Sequence, residues 1–150
     1  MNFSKLLGIA FVMLTCCTFV STCNAQLTGD ITGDGKVNFE DRDVLSCLKF
    51  FGFTPDILNG AGDYDGNGVY EDFDMFVWRF IAAFENGFNG PYLRADANLD
   101  GVVDVSDLNV LRRNMFSKTC LVSNGDFNCD GVVDVSDRNI LFEELFMSTP

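Results

Sequence analysis

Four Asp-rich segments recur along the chain at intervals of 33, 33 and 30 residues, beginning at Asp30, Asp63, Asp96 and Asp126. The last two copies share the octet DGVVDVSD, at 100–107 and 130–137. Each copy joins a polar, Gly-containing stretch of twelve residues to an apolar or amphipathic stretch that begins at its last Asp. A period near 30 residues is typical of supersecondary units that bury their apolar faces against one another. The repeat therefore constrains the fold more than the composition does.

The apolar stretches have the spacing of helices. Apolar residues recur three and four positions apart within 41–51, 74–84, 107–116 and 137–146. An ordinary EF-hand has a helix on both sides of its loop, whereas here the entering helix is missing or very short. The sequence predicts an all-α protein of four loop–helix (F-hand) repeats arranged as two pairs, 26–90 and 91–150. We expect the pairs to pack through Phe-rich helices, with the apolar segment 75–81 as core between them rather than as a carbohydrate platform.

The polar stretches carry the donor pattern of calcium loops. Calcium prefers six to eight oxygen ligands, and a 12-residue loop supplies them from positions 1, 3, 5, 9 and 12 and from the carbonyl of position 7, with Gly at position 6. The predicted ligands, with carbonyls at the seventh position, are Asp30, Thr32, Asp34, Lys36, Asn38 and Asp41 in loop 1; Asp63, Asp65, Asn67, Val69, Glu71 and Asp74 in loop 2; Asp96, Asn98, Asp100, Val102, Asp104 and Asp107 in loop 3; and Asp126, Asn128, Asp130, Val132, Asp134 and Asp137 in loop 4.

These loops account for the charge of the chain. Fifteen of its 22 acidic residues are predicted ligands, and the formal net charge is −12. The alternative interpretation is a set of metal-free Asp/Asn/Gly turns, since such residues dominate turns generally. We favour up to four Ca²⁺ ions and expect folding to depend on them, because converging carboxylates repel one another without a cation. Loop 1 is the weakest site, because Thr32 is a weaker ligand than Asn or Asp and only three carboxylates serve this loop. At position 8, we expect Val37, Tyr70, Val103 and Val133 to pair neighbouring loops in short two-stranded contacts.

Residues 1–25 have the features of a secretory signal peptide: Lys5, an apolar run over 6–20 and small residues ending at Ala25. An uncleaved membrane anchor is the alternative, but about 15 apolar residues are short for a span that needs about 20. We expect a secreted, extracellular protein with no membrane association after cleavage. The chain lacks a basic patch, which argues against nucleic acid as a partner.

Three cysteines follow the predicted cleavage site, and an odd number leaves one thiol without an internal partner. Cys120 and Cys129 are close in sequence, and we expect a disulfide between them. Cys47 falls within a helical pattern, where we expect a small buried hydrophobe. An enzyme, for example a glycosidase with paired carboxylates, is disfavoured because the chain has no His and most acids are assigned to metal.

A calcium loop closed by Asp, a single following helix and tandem duplication resemble the type I dockerin repeat of bacterial secreted proteins. The stretch GDFNCDGVVDVSD at 125–137 is similar to a dockerin loop at each metal-binding position. The resemblance covers the four loops and their helices. Residues 96–150 resemble one complete module, and 30–86 resemble a diverged pair.

The resemblance implies calcium-dependent docking to a cohesin-like module, with a link to extracellular polysaccharide-degrading complexes. The positions that the family uses for recognition correspond here to Val105, Ser106, Arg112, Arg113, Val135, Ser136, Phe142 and Glu143. The alternative interpretation is that these residues only start the helices or form a solvated patch. A secreted EF-hand-like calcium-binding structural protein without a cohesin partner is the alternative function, because most dockerins are appended to an enzyme and this chain carries none.

Overall fold

The computed structural model describes residues 29–148, without the side chains of Asp56 and Ile57. The predicted signal peptide lies outside the described residues. The elements in chain order are α1 (Phe39–Phe51), a 3₁₀ turn (Pro55–Leu58), α2 (Asp72–Glu85), α3 (Val105–Asn114), a second 3₁₀ turn (Val122–Asn124) and α4 (Val135–Glu144). Within residues 29–148 there are four α-helices and no β-strand beyond isolated bridges. The all-α prediction is therefore confirmed.

Each helix begins two residues earlier than its apolar pattern predicts. The N-cap is the ninth residue of the preceding polar segment, Asn38, Glu71, Asp104 or Asp134. The last Asp of that segment is then the third helical residue, and its carboxylate accepts the N-cap backbone N–H in a capping box. The polar segment and the helix start are thus one continuous hydrogen-bonded unit.

Two apolar clusters form the core. The first combines Leu45 and Leu48 of α1 with Trp78 and Ala82 of α2. The second combines residues such as Leu111 of α3 and Leu141 of α4 with apolar residues of the last two polar segments. Met75 is partly buried and packs against both clusters. The first cluster also includes Tyr92, with Leu99 packed against it, so its members come from both sides of the predicted boundary at residue 90.

The apolar segment 75–81, which the sequence predicts as core, is buried on one face only. Trp78 is fully buried, but Phe76 and Phe80 are 46% and 44% exposed. Helix α2 buries the face that carries its small residues, because Ala82 and Ala83 are also fully buried and allow close packing. The large phenylalanines of α2 are left on its outer side.

Helix α1 joins the two halves through polar groups. The buried guanidinium of Arg42 donates to the carbonyl oxygens of Asp96 and Ala97, at 2.5 and 2.7 Å. Ser46 donates to the carbonyl of Cys120 at 2.7 Å. The Asp43 carboxylate accepts from the backbone N–H of Ser123 at 2.9 Å and from its hydroxyl. Buried polar side chains of α1 thus contribute to this packing, in addition to the Phe-rich helices predicted from the sequence.

The disulfide joins Cys47 to Cys120, with Cα atoms 5.0 Å apart, and Cys129 is a buried free thiol. The predicted Cys120–Cys129 bridge is therefore wrong. Cys47 is buried, as expected, but it is bonded to Cys120 rather than acting only as a small hydrophobe. Cys129 packs in the second apolar cluster, whereas Cys120 lies against α1. Proximity in sequence does not bring the two thiols together here.

The short backbone pairings also differ from expectation. The N–H of Val133 donates to the carbonyl of Ser117, and the N–H of Val103 donates to the carbonyl of Met147. The third polar segment therefore pairs with the chain that follows α4, and the fourth pairs with the chain that follows α3. The predicted contact between neighbouring loops is absent from residues 29–148. Within the same range, no helix is long and apolar enough to cross a membrane.

Candidate metal centre

The four polar segments share one hydrogen-bond network around their first residue. In each segment, the carboxylate of residue 1 accepts the backbone N–H of Gly at position 6, at 2.8–3.0 Å. The same carboxylate accepts the N–H of position 5, at 3.1–3.2 Å. The residues concerned are Asp30, Asp63, Asp96 and Asp126. The backbone of each segment therefore wraps around its first side chain.

The last residue of each segment, at position 12, also accepts backbone N–H groups of its own segment, and the two acids together form a hydrogen-bonded ring with the loop backbone. The carboxylates of Asp41, Asp74, Asp107 and Asp137 each accept the N–H of position 9 at 2.9 Å. Their other oxygen accepts an N–H from position 2 or 3 at 2.7–3.1 Å. All four side chains are fully buried. Each of these carboxylates is thus fixed in position by backbone amides.

The turn inside each ring requires left-handed backbone. Position 6 is Gly in every segment, with φ between 83° and 89°. Position 4 is also left-handed, and it is glycine in the first two segments but Leu99 and Cys129 in the others, with φ of 57° and 58°. Cys129, at position 4 of the fourth segment, is buried. The spacing of the cysteines in the sequence does not predict this burial.

The second segment brings three acids together. One carboxylate oxygen from each of Asp63, Asp65 and Asp74 lies within 4.8 Å of the others, and this is the one such acidic group within residues 29–148. A limit of 4.8 Å is about twice the calcium–oxygen distance of 2.3–2.6 Å, so one ion can reach all three. The equivalent positions in the other segments include Thr32, Asn98 or Asn128, which add a neutral oxygen in place of the third carboxylate.

Polar amides lie among the acids of the last three segments. In the second segment, the Asn67 amide nitrogen donates to Asp65 at 3.0 Å and to Glu71 at 3.1 Å. In the third and fourth, Asn98 and Asn128 donate to the acids at position 5, both at 2.8 Å. These contacts bring together the side chains of positions 3, 5 and 9 in the second segment, and those of positions 3 and 5 in the third and fourth.

The remaining predicted ligands occupy equivalent places. In the first segment, the Thr32 hydroxyl donates to Asp41 at 3.0 Å and to Asp30 at 3.4 Å. In all four segments, the backbone N–H of position 7 donates to the side chain of position 5 at 2.8–3.0 Å. The predicted carbonyl ligands belong to these position-7 residues, Lys36, Val69, Val102 and Val132.

Burial raises the free-energy cost of ionising the acids of these rings. It raises the pKa of Asp96 and of Asp126 to about 6, although N–H donors and, for Asp96, the Arg42 guanidinium oppose the shift. Burial also raises the pKa of Asp41, Asp107 and Asp137. Backbone and hydroxyl hydrogen bonds from Ser106 lower the pKa of Asp104. The rings therefore hold carboxylates whose negative charge is poorly solvated, which is an environment that favours a bound cation or proton.

The eight predicted partner-binding residues all lie exposed on α3 and α4. Ser106 and Ser136 also have a local role, because their N–H groups donate to the N-cap acids at 2.6 and 2.7 Å and their hydroxyls contact Asn98 and Asn128. Arg138 lies 5.9 Å from the centre of the Phe142 ring.

Sequence reasoning missed the contacts that the first half makes with segments 3 and 4. The Phe88 ring lies against Gly101, where an added Cβ would be 2.6 Å from it, and the Phe50 ring lies against Gly131 in the same way. The corresponding Gly35 and Gly68 face open space. Arg42 adds the carbonyl contacts described above. The burial of Gly101 and Gly131 depends on tertiary packing, for which the repeat offers no signal.

Comparison of the chain with protein-family models, with curated proteins and with solved structures gives no match.

Proposed function

We propose that this chain binds calcium at its four polar segments, loops 1 to 4. The observation that carries the proposal is the recurrence in all four segments of one backbone ring, in which the acids at positions 1 and 12 both accept backbone N–H groups of the same short loop. A divalent ion bound there supplies positive charge to carboxylates that the fold has removed from water.

The donor set fits calcium better than zinc or copper. The loops offer carboxylate, amide, hydroxyl and carbonyl oxygens, and the chain contains no His. Hard oxygen donors favour calcium or magnesium. Magnesium demands a near-ideal octahedron and keeps several waters, whereas a flexible 12-residue loop of many oxygens suits calcium. Loop 2 is the best-supported site, since Asp63, Asp65 and Asp74 already converge.

We further propose that the calcium-loaded second half docks to a cohesin-like protein module outside the cytoplasm. The exposed residues of α3 and α4 support this role, because Val105, Val135 and Phe142 are apolar and about half exposed. The loops position this surface, since the N-cap acids and the following serines belong both to the rings and to the first turns of α3 and α4. The Cys47–Cys120 disulfide is consistent with an oxidising compartment.

Retention on an immobilised cohesin module tests the docking role. The purified protein is applied in millimolar calcium and again in chelator, alongside a Val135→Asp/Phe142→Asp variant whose exposed positions should tolerate the change. Docking predicts retention in calcium only, and loss with the variant. If a panel of divergent cohesins retains none of the protein while calcium still binds, the function is that of a calcium-binding structural protein without a cohesin partner.

A further inference from the structure

Arg42 departs from the pattern of the repeat. It directly follows the last residue of loop 1, and its side chain is 1% exposed. The equivalent residues after the other loops are Met75 and Leu108, which are apolar and partly buried, and Arg138, which is exposed. A buried guanidinium costs free energy unless it is hydrogen-bonded, and the repeat itself does not require one here. The contacts of Arg42 therefore indicate a role that the other repeats lack.

The start of helix α1 joins Arg42 to loop 1. Asn38 and Asp41 are the predicted ligands at positions 9 and 12, and they are also the N-cap and the third residue of α1. The Asn38 side chain accepts the N–H of Glu40 at 2.7 Å, and the Asp41 carboxylate accepts the N–H of Asn38 at 2.9 Å. A cation held by these two side chains fixes the capping box. It thereby fixes the backbone from which Arg42 extends.

The guanidinium of Arg42 contacts the first two residues of loop 3. It donates to the carbonyl oxygens of Asp96 and Ala97, at 2.5 and 2.7 Å. Asp96 is the predicted ligand at position 1, and the N–H of Ala97 donates to the Asp107 carboxylate at position 12, at 2.8 Å. Arg42 therefore holds the backbone that carries the first predicted ligand of loop 3 and orients the last. Its positive charge alone opposes a nearby cation, so any benefit to loop 3 comes from this placement.

We propose that loops 1 and 3 bind calcium cooperatively, and that Arg42 is the positioning residue that couples them. The inference rests on the proposed calcium-binding function and adds its regulation. Calcium in either loop orders one end of the Arg42 contact, so the other loop loses less conformational entropy when it binds. Linkage requires that each loop raise the affinity of the other by the same factor.

The coupling has a direction in practice, because the two loops differ in their ligands. Loop 1 has the neutral Thr32 at position 3 and fewer carboxylates than loop 3. Loop 3 therefore fills at lower calcium and raises the affinity of loop 1. The weakest loop then fills at a calcium concentration that its own ligands do not reach.

A calcium titration followed by nuclear magnetic resonance resolves the two loops. The N–H of Gly35 donates to Asp30, and the N–H of Gly101 donates to Asp96, so the two glycine signals report loops 1 and 3 separately. Asp100→Ala removes the exposed ligand at position 5 of loop 3. It should weaken calcium binding at loop 1 about fivefold. Because the replaced side chain is exposed, this measurement does not depend on the folding of an Arg42 variant.

A double-mutant cycle assigns the coupling to Arg42. In the Arg42→Met background, Asp100→Ala should leave the calcium affinity of loop 1 unchanged. Lys49→Met is the matched control, because Lys49 is a cation of the same helix that is bonded to Asp72 of α2 and not to loop 3. In that background, the fivefold effect of Asp100→Ala should remain.

Amide hydrogen exchange gives a readout that needs no calcium in loop 1. In an Asp34→Ala protein, which lacks the position 5 ligand of loop 1, filling loop 3 should slow the exchange of the Asp43 N–H in α1. The added Arg42→Met change should abolish this slowing.

The outcomes separate the coupling from calcium binding itself. If both glycine signals respond to calcium and Asp100→Ala leaves loop 1 unchanged, the coupling is contradicted. Persistence of the coupling in Arg42→Met contradicts the assignment to Arg42. If neither glycine signal responds to millimolar calcium, the proposed function fails, and this inference fails with it.

Discussion

The ring of Phe50, on α1, packs against the α-carbon of Gly131, in the fourth polar segment. Gly131 is buried and has φ of 88°. An aromatic ring of the first half therefore covers the turn of a segment in the second half. Phe88 covers Gly101 in the same manner, and the first half thereby supports both candidate metal rings of the second half.

Adding a methyl group at Gly131 should cost more than adding one at Gly68. Both residues have left-handed backbone, with φ of 88° and 85°, so Ala pays about 1 kcal/mol of backbone strain at either site. Only Gly131→Ala also meets the Phe50 ring, and overpacking typically adds about 1–3 kcal/mol. Chemical denaturation of the two variants in calcium measures the difference. In the Phe50→Ala background the excess cost should disappear, and its persistence would contradict the packing account.

Breaking the Cys47–Cys120 disulfide should strongly destabilise the protein. The bridge spans 73 residues, and loop-closure entropy for a ring of that length is about 4 kcal/mol. We expect a Cys47→Ala/Cys120→Ala variant to lose a large part of its free energy of unfolding. Cys129→Ala is the matched control that retains the bridge. Peptide mapping without reductant should recover Cys47 joined to Cys120, and recovery of Cys120 joined to Cys129 would contradict the structure.

The stability of the metal-free protein should fall as pH rises from about 4 to 6. The folded-state pKa values of Asp96 and Asp126 are about 6, above the ordinary value of about 3.9 for an unfolded chain. A raised acid pKa means that the folded state binds more protons, so its stabilising contribution is full below pH 4 and is lost as pH passes 6.

Thermal melts of protein freed of metal by dialysis, recorded between pH 4 and 7, measure this dependence. Asp96→Asn/Asp126→Asn should melt with a weaker dependence on pH, because the amides do not ionise. Calcium should raise the melting temperature of the unmodified protein more at pH 7 than at pH 5, since it competes with protons for the same carboxylates. A melting temperature that rises steadily from pH 4 to 7 without metal would contradict the assignment.

Replacing Arg42 with Met should weaken the contact between the two halves. Its guanidinium satisfies the carbonyls of Asp96 and Ala97, and Met leaves both buried acceptors without these donors. Buried unsatisfied groups cost about 1–3 kcal/mol each, although removal of a buried charge whose Nε lacks a hydrogen bond offsets part of that cost. We expect a net loss of about 2 kcal/mol in chemical denaturation and weaker calcium binding at loop 3. Arg113→Met, at an exposed site, should change neither quantity.

Much of the fold and of the candidate metal centre could be predicted because the information is local. A twelve-residue segment places its acids at fixed positions, and the apolar period of the next residues defines a helix. The residues at positions 1 and 12 share a hydrogen-bonded ring, as for Asp30 and Asp41, which the Thr32 hydroxyl links. That these residues bind calcium stays a prediction.

Contacts between the halves could not be predicted in the same way. The pairing of Cys47 with Cys120 depends on how α1 packs against residues 119–123, and no local spacing reports that geometry. Helix α2 is apolar on all sides, so its sequence does not identify which face is inward. The structure buries Trp78 with two alanines and leaves Phe76 and Phe80 outside.

Equilibrium calcium binding to the metal-free protein, by titration calorimetry with circular dichroism, tests the central claim most directly. The account predicts up to four ions bound at millimolar calcium or below, with a gain of helical signal and thermal stability. Asp63→Asn/Asp74→Asn should remove one ion. No calcium uptake at millimolar concentration, together with an unchanged spectrum and melting temperature after metal removal, would contradict it.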